Sequence, residues 1–324
     1  MISKTFVVSL AALAVTVGAA QAQDTPSRWG KDDQAGASNH MTPKKALEAA
    51  KLMKTGAVIP LARVYEAKMP LFGARAFALR GTNGLAGGPV GDNKVIWMDD
   101  FLAAEIGQVG TQFDGLGHIG IGGRDVFYNG LTKEQIFGPT GLTKLGIEHV
   151  KPFFTRGVLI DMVAFKGAPM NAGQEISVAD IEGALQKQGV AAISEGDVVL
   201  IHTGWGRHWG VDNAAFNAGA PGIGLDVAAF LIKAGVAVVG SDTWPVEVVP
   251  NPNAKLAFPR PPGVDRQERH LHPRKRRNRA LGDGEGLRVR LHLRADADQR
   301  SHGSAGERHR SALRIKQQLV IERD

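Results

Sequence analysis

From Gly157 onward the chain alternates between continuous apolar runs and capped amphipathic segments, and few folds accept that pattern. Val158 to Val163 reads as a buried strand. Ser177 with Asp180 makes a capping box for a helix through Ile181 and Leu185, stopped by Gly189. Asp197 to His202 is a second buried strand. Leu225, Ala228, Leu231 and Ile232 mark a second helix closed by Gly235, and Val236 to Ser241 is a third strand. Strands that are apolar along their whole length are covered on both faces, so this order predicts an α/β layer over a sheet. Such folds place their sites on loops at strand carboxyl ends. That singles out Ile201-His202-Thr203-Gly204-Trp205 and Gly240-Ser241-Asp242-Thr243-Trp244.

The first half is less regular. Thr42-Pro43 starts a helix, with Ala46, Leu47, Ala50 and Met53 at helical spacing and Gly56 closing it. Val58 to Leu61 reads as a short strand. Residues 66 to 94 are rich in Gly and read as a long loop carrying Phe72, Phe77 and Leu79. Loops of that length are commonly lids or binding loops. Their apolar residues either line a pocket for an aromatic substrate or anchor the loop to the core.

Residues 108 to 118 read Gln-Val-Gly-Thr-Gln-Phe-Asp-Gly-Leu-Gly-His. After a turn at Gly110-Thr111, even spacing in an extended segment puts Gln108, Gln112, Asp114 and His118 on one side, facing one cavity. A carboxylate, an imidazole and two amide oxygens converging there are able to hold a divalent metal and position a water on it. The bland alternative is a polar loop with one satisfied histidine. The stretch resembles the signature of the metal-dependent cyclase family, which includes bacterial kynurenine formamidases and isatin hydrolases. That signature runs His-x-Gly-Thr-His-x-Asp-x-Pro-x-His. This chain keeps the Gly-Thr, Asp114 and His118, and carries Gln108 and Gln112 at the ligand-His positions and Leu116 in place of Pro.

The resemblance runs from about Arg28 to Pro259 and takes in Arg28-Trp29-Gly30, Asn39 and the two strand-end loops. It implies a swivelling β/β/α cyclase-like fold in a single domain. It also implies a metal-dependent hydrolase acting on a small amide, formamide or cyclic substrate. Asp114 would ligate the metal, Gln108 and Gln112 would be weaker ligands, and His118 would be the general acid or base. An amide oxygen is a harder, weaker ligand than imidazole, which moves the expected ion from tight Zn towards Mn or Mg. His202 reads as a satisfied strand-end histidine or as a site residue. Asp242 reads as a turn residue or as a group that orients the ligands. No substrate-binding role is assigned. The resemblance further implies a homodimer or a higher homo-oligomer. A rival reading from another class is a periplasmic small-molecule-binding homologue that kept the pocket and lost the chemistry.

Residues 1 to 22 read as a secretory signal: Lys4, an apolar run from Phe6 to Val17, and Ala20-Gln21-Ala22 with cleavage after Ala22. The run is too short to span a membrane, so the mature chain is expected to be periplasmic or secreted, with no membrane partner. The absence of Cys excludes thiolate ligands and a Cys nucleophile. The net charge of +7 misleads, because residues 260 to 324 hold 17 basic and 9 acidic residues while the rest holds 22 and 23. The body, residues 23 to 259, is therefore near neutral and gives no electrostatic case for nucleic acid.

Residues 260 to 324 also lack Phe, Trp, Tyr and Met, hold five of the ten His, and show no persistent apolar period. The tail reads as disordered or as translated out of frame, since Arg, Gly, Pro, Ala and His enrichment is what a GC-rich gene yields in the wrong frame. With one base dropped before codon 260 and synonymous bases free, residues 260 to 276 become a His-containing segment ending Leu-Glu-Asn. That segment looks like the next part of the family, whose second catalytic His and remaining metal-ligating Glu this chain would then lack.

Overall fold

The computed structural model describes residues 27–105, 107–121, 126–253, 255, 287–295 and 315–323; for 82–86 and the last two segments only the backbone is described. The signal segment, residues 1 to 22, and most of the tail lie outside the described residues. In chain order the elements begin with α1 (Pro43–Ala50), β1 (Phe77–Val90), β2 (Val95–Ala104), α2 (Lys133–Ile136), β3 (Phe137–Gly138) and β4 (Gly141–Leu142). Next come β5 (Phe154–Asp161), α3 (Met162–Lys166), β6 (Glu175–Ile176), α4 (Val178–Lys187) and β7 (Val198–His202). The order closes with α5 (Asn213–Ala218), β8 (Gly222–Ile223), α6 (Leu225–Lys233), β9 (Val238–Ser241), β10 (Leu287–Ala295) and β11 (Ile315–Arg323).

The central sheet runs β11-β10-β5-β7-β9. Its β5, β7 and β9 are parallel, as the strand-helix-strand order requires, and β10 joins β5 antiparallel. Side chains alternate across the sheet. Val158 and Ile160 of β5, with Val199 and Ile201 of β7, pack against Ile181, Leu185, Val227 and Leu231 of α4 and α6 in the main core. Leu159 and Leu200 point to the opposite face and line a cavity. The capping box forms as predicted, with Ser177 Oγ accepting from Asp180 N at 3.1 Å and Asp180 Oδ2 accepting from Ser177 N at 3.0 Å. Gly189 and Gly235, both at positive φ, end α4 and α6.

Several expectations change. The predicted strand through Val163 ends at Asp161, whose side chain accepts from Ala164 N at 3.0 Å and starts α3. Thr42 does cap α1, but Leu47, on the expected apolar face, is 68% exposed and Ala49 is the buried residue. Val58 to Leu61 forms no strand. The Gly-rich loop is largely a hairpin: β1 pairs antiparallel with β2 from Phe77↔Ala104 to Val90↔Val95. Register shifts between Gly81 and Ala86 and between Gly87 and Val90 break the alternation that would have revealed it. The tail adds β10 and β11 as an edge hairpin to the sheet and no separate layer among the described residues. Leu287 to Ala295 does alternate apolar and polar, over nine residues that the composition of the whole tail conceals.

A buried charge cluster ties α1 to the sheet. Asp197, fully buried just before β7, accepts from Lys45 Nζ at 2.6 Å, Ser194 N at 2.8 Å and Arg156 Nε at 3.1 Å. Arg156 adds a second, shorter bond through its terminal nitrogen. Each carboxylate oxygen is therefore satisfied, the condition on which a buried charge is tolerated.

Candidate active site

A cavity of about 740 Å³ opens on the sheet face away from α4 and α6. Two polar groups of residues border it. One is the stretch from Gln108 to Asp114, and the other is the carboxyl edge of the parallel strands. Between them the wall is apolar and aromatic. Phe72 stacks on Trp244 with ring centroids 4.3 Å apart, and Trp209 meets Phe216 edge-on. Phe72 thus settles the open question about the Gly-rich segment by lining the pocket, while Phe77 anchors against the Tyr65 ring and Leu79 is exposed on the hairpin.

The motif is held by its neighbours. Tyr65 Oη donates to the carbonyl of Thr111, and a Cβ on Gly110 would run into the Tyr65 ring, which accounts for glycine there. Arg63 N donates to Thr111 Oγ1 at 2.9 Å, and its guanidinium reaches Gly206 O at 3.0 Å, linking the motif to the loop after β7. Gln108 sits at φ 59°, a left-handed conformation uncommon for a non-glycine residue.

Gln108, Gln112 and Asp114 come together at the cavity, but His118 is not among the residues that line it. The segment is a series of turns, not an extended strand, and His118 N bonds back to Gly115 O at 3.0 Å. That reversal removes the alternation on which a common face for all four depended. His118 Nε2 lies 3.8 Å from Asp114 Oδ1, with both side chains partly exposed.

The donor set does not fit a tightly held divalent metal. Asp114 supplies its only anionic oxygens. Gln112 is engaged at both ends of its amide, Oε1 accepting from Gln108 N and Nε2 donating to Asp114 Oδ2 at 3.3 Å. Among the described residues no group of three His, Cys, Asp or Glu side chains is placed to hold a metal ion. A hydrogen-bonded chain thus runs from Gln108 through Gln112 to Asp114.

At the strand edge, register does the positioning. Asp161 pairs with His202 across β5 and β7, and Ile201 pairs with Ser241 across β7 and β9, so Asp161, His202 and Asp242 arrive side by side. His202 Nδ1 is 3.1 Å from Asp161 Oδ1, and Nε2 is 4.0 Å from Asp242 Oδ2. The hydrogen bond to Asp161 raises the His202 pKa; burial opposes it, and the charges of Asp242 and Asp161 add to the rise. The same bond lowers the Asp161 pKa against burial, helped by the Ala164 amide. Asp242 is itself fixed, accepting from Thr203 N at 2.8 Å, Thr203 Oγ1 at 2.6 Å and Gly206 N at 3.1 Å. Gly204 makes the turn at φ 77°, where a Cβ would press on Pro169 and Val163. Asp242 therefore orients the His202 loop and not the motif's side chains, and His202 faces the cavity as well as being hydrogen-bonded. The strand-end position was the sequence signal for both.

Comparison with known proteins gives the family. The cyclase family model matches residues 28–248, which leaves the tail outside the match. A solved structure described as a novel cyclase is 35% identical, with a TM-score of 0.61, over 68% of this chain and 76% of that one. Isatin hydrolase A from Ralstonia solanacearum is 23% identical (TM-score 0.47; 67% of this chain, 78% of that one). Isatin hydrolase A from Labrenzia aggregata, bound to benzyl benzoate, is 22% identical (TM-score 0.42; 59% and 69%). No curated protein matches. With an α/β sheet of the expected order, a family match over residues 28–248 and a solved relative at 35% identity, the chain belongs to the cyclase family.

Proposed function

We propose that this chain is a hydrolase acting on a C–N or ring carbonyl bond of a small amide, formamide or cyclic substrate. The observation that carries the reading is the cavity, which joins an Asp114 carboxylate to a wall of Phe72, Trp209, Phe216 and Trp244. Its volume suits a small, partly aromatic molecule. In this reading the rings hold the apolar body of the substrate, and the carbonyl lies towards Asp114. Asp114, which lines the cavity, takes a proton from the attacking water and passes it to His118, whose Nε2 lies 3.8 Å away, because an imidazole is able to accept and return one. Gln112 fixes Asp114 through its amide nitrogen. A Mn, Mg or Zn ion, expected from the family signature, would be held weakly by Asp114 with the side-chain oxygens of Gln108 and Gln112, where it would polarise a carbonyl oxygen as a Lewis acid.

The assembly in this reading is a homodimer or a higher homo-oligomer. It is supported by the β1–β2 hairpin, which presents Ile96, Met98 and Phe101 to solvent, with Met98 86% exposed. Two-stranded hairpins are marginal alone in water, and a second copy is the expected cover. The location is periplasmic or secreted, on the strength of the N-terminal segment.

A second reading, a binding protein without turnover, is favoured by the two Gln side chains at the ligand-His positions. A screen separates the two. N-formylkynurenine, isatin, formanilide and simple lactams are incubated with purified protein and followed by chromatography. Turnover of any of them supports the hydrolase; saturable binding without product supports the binder and removes the hydrolase.

A further inference from the structure

The cavity is bordered by one histidine that the reading above leaves unused. We propose that His202, held between Asp161 and Asp242 at the carboxyl edge of the sheet, is the acid that protonates the leaving nitrogen; this rests on the hydrolase reading.

Hydrolysis of an amide moves two protons in opposite directions. One must leave the attacking water and one must reach the nitrogen, because an amide anion is too basic to depart unprotonated. The motif supplies a base, the Asp114–His118 pair at 3.8 Å, but His118 stands outside the cavity lining. His202 lines it. Its Nδ1 is committed to Asp161 at 3.1 Å, which fixes the ring and leaves Nε2 as the nitrogen with a transferable proton. The ring is 44% exposed, so it is reached by a ligand and not sealed in the core.

The surroundings favour the protonated ring. Asp161, at the end of β5, and Asp242, after β9, are the carboxylates beside it. Arg63 reaches the same loop through Gly206 O, and Arg207 through Gly204 O at 2.8 Å. Neither guanidinium replaces a carboxylate on the ring. The direction of the His202 shift agrees with this geometry. In the step itself, water oxygen bonds to the carbonyl carbon while its proton passes by way of Asp114 to His118. The C–N bond then breaks as His202 Nε2 gives its proton to nitrogen. Atoms and charge balance with water as the only co-reactant, and the His118 proton later returns to His202 through solvent.

A general acid is diagnosed by the leaving group. Formanilide needs its nitrogen protonated, whereas 4-nitrophenyl formate expels a stable phenolate. Wild type, His202→Ala and His202→Gln are compared on both, with near-UV circular dichroism as a folding control. His202→Gln retains an amide able to donate to Asp161. We expect His202→Gln to lose roughly 10²–10³-fold in kcat/KM on formanilide, and under about tenfold on the ester. The alkaline limb of the formanilide pH profile should disappear with it. Equal losses on both probes, or none on formanilide, would overturn the role of His202 while leaving the hydrolase intact. A wild type inactive on these two probes and on every substrate of the screen above removes the hydrolase reading and this inference together.

Discussion

Asp197→Asn is expected to destabilise the protein severely, through charge and not shape. The substitution keeps the side-chain volume and an oxygen for Ser194 N, but deletes the negative charge on which Lys45 and Arg156 converge. Both cations are largely buried, at 13% and 17% exposure, and Asp197 is fully buried. Removing one partner of a buried pair costs about 3–5 kcal/mol, since the remaining charge has lost its solvent and its counter-ion. Domains are typically stable by ~5–15 kcal/mol, so the loss is from about a fifth of the total to all of it. In urea, with an m of about 2–3 kcal/mol/M, the midpoint should fall by roughly 1–2.5 M at unchanged m. Replacing Lys45, Arg156 and Asp197 together by Met should recover much of the loss, because apolar isosteres of a buried cluster are often neutral. A midpoint shift under about 0.3 M for Asp197→Asn would refute the reasoning and assign the cluster a solvated environment.

Three further outcomes follow. The His202 pKa is raised from 6.5, so its pair with Asp161 stabilises fully below pH 6.5 and the contribution is lost as pH rises through the folded value. Asp161 is lowered from 3.8, so its share is present above pH 3.8 and lost as pH falls through the lower folded value. Stability curves of wild type and His202→Gln should diverge most between those limits and converge at alkaline pH; parallel curves would contradict the pairing. Added Zn or Mn at a concentration equal to that of the protein should raise stability by less than about 0.4 kcal/mol, the gain when ligand does not exceed its Kd. A gain of several kcal/mol in thermal melts would mean that the motif is a metal centre. For the tail, we propose an out-of-frame origin: the coding DNA read one base on from codon 260 should give a His-containing segment ending Leu-Glu-Asn, and any other reading removes the proposal.

What was legible in the sequence divides along the chain. Beyond Gly157, strands and helices carry their own signals: uninterrupted Val and Ile for β5 and β7, Ser177 with Asp180 for the start of α4, and Gly189 for its end. Those signals are local, so they survive without knowledge of the fold. The β1–β2 hairpin was not legible, because its glycines and register shifts erase the period of two while its pairing partner lies many residues away. Leu47 was placed on the wrong face because α1 packs through the small Ala49, and burial by a small residue leaves little trace in an apolar pattern. At the cavity, Gln108, Gln112 and Asp114 stand out by residue type, but their spacing implied an extended strand. The turn that closes on Gly115 and His118 depends on backbone geometry that spacing does not encode. His202 and Asp242 were visible as strand-end polar residues, and only the parallel register of β5, β7 and β9 shows that Asp161 completes the group.

The central claim is that the cavity beside Asp114 carries out hydrolysis, and steady-state kinetics of Asp114→Ala against wild type tests it most directly. The assay uses whichever amide or cyclic substrate the wild type turns over, with unfolding midpoints measured on the same preparations. Asp114 is partly exposed and packs into no core cluster, so its loss should leave the midpoint within the ±0.5 kcal/mol usual for such positions. Turnover should be abolished with the fold intact, because Asp114 is the one anionic group of the motif and the partner of His118. Undiminished kcat/KM in Asp114→Ala would contradict it and move the chemistry away from this cavity.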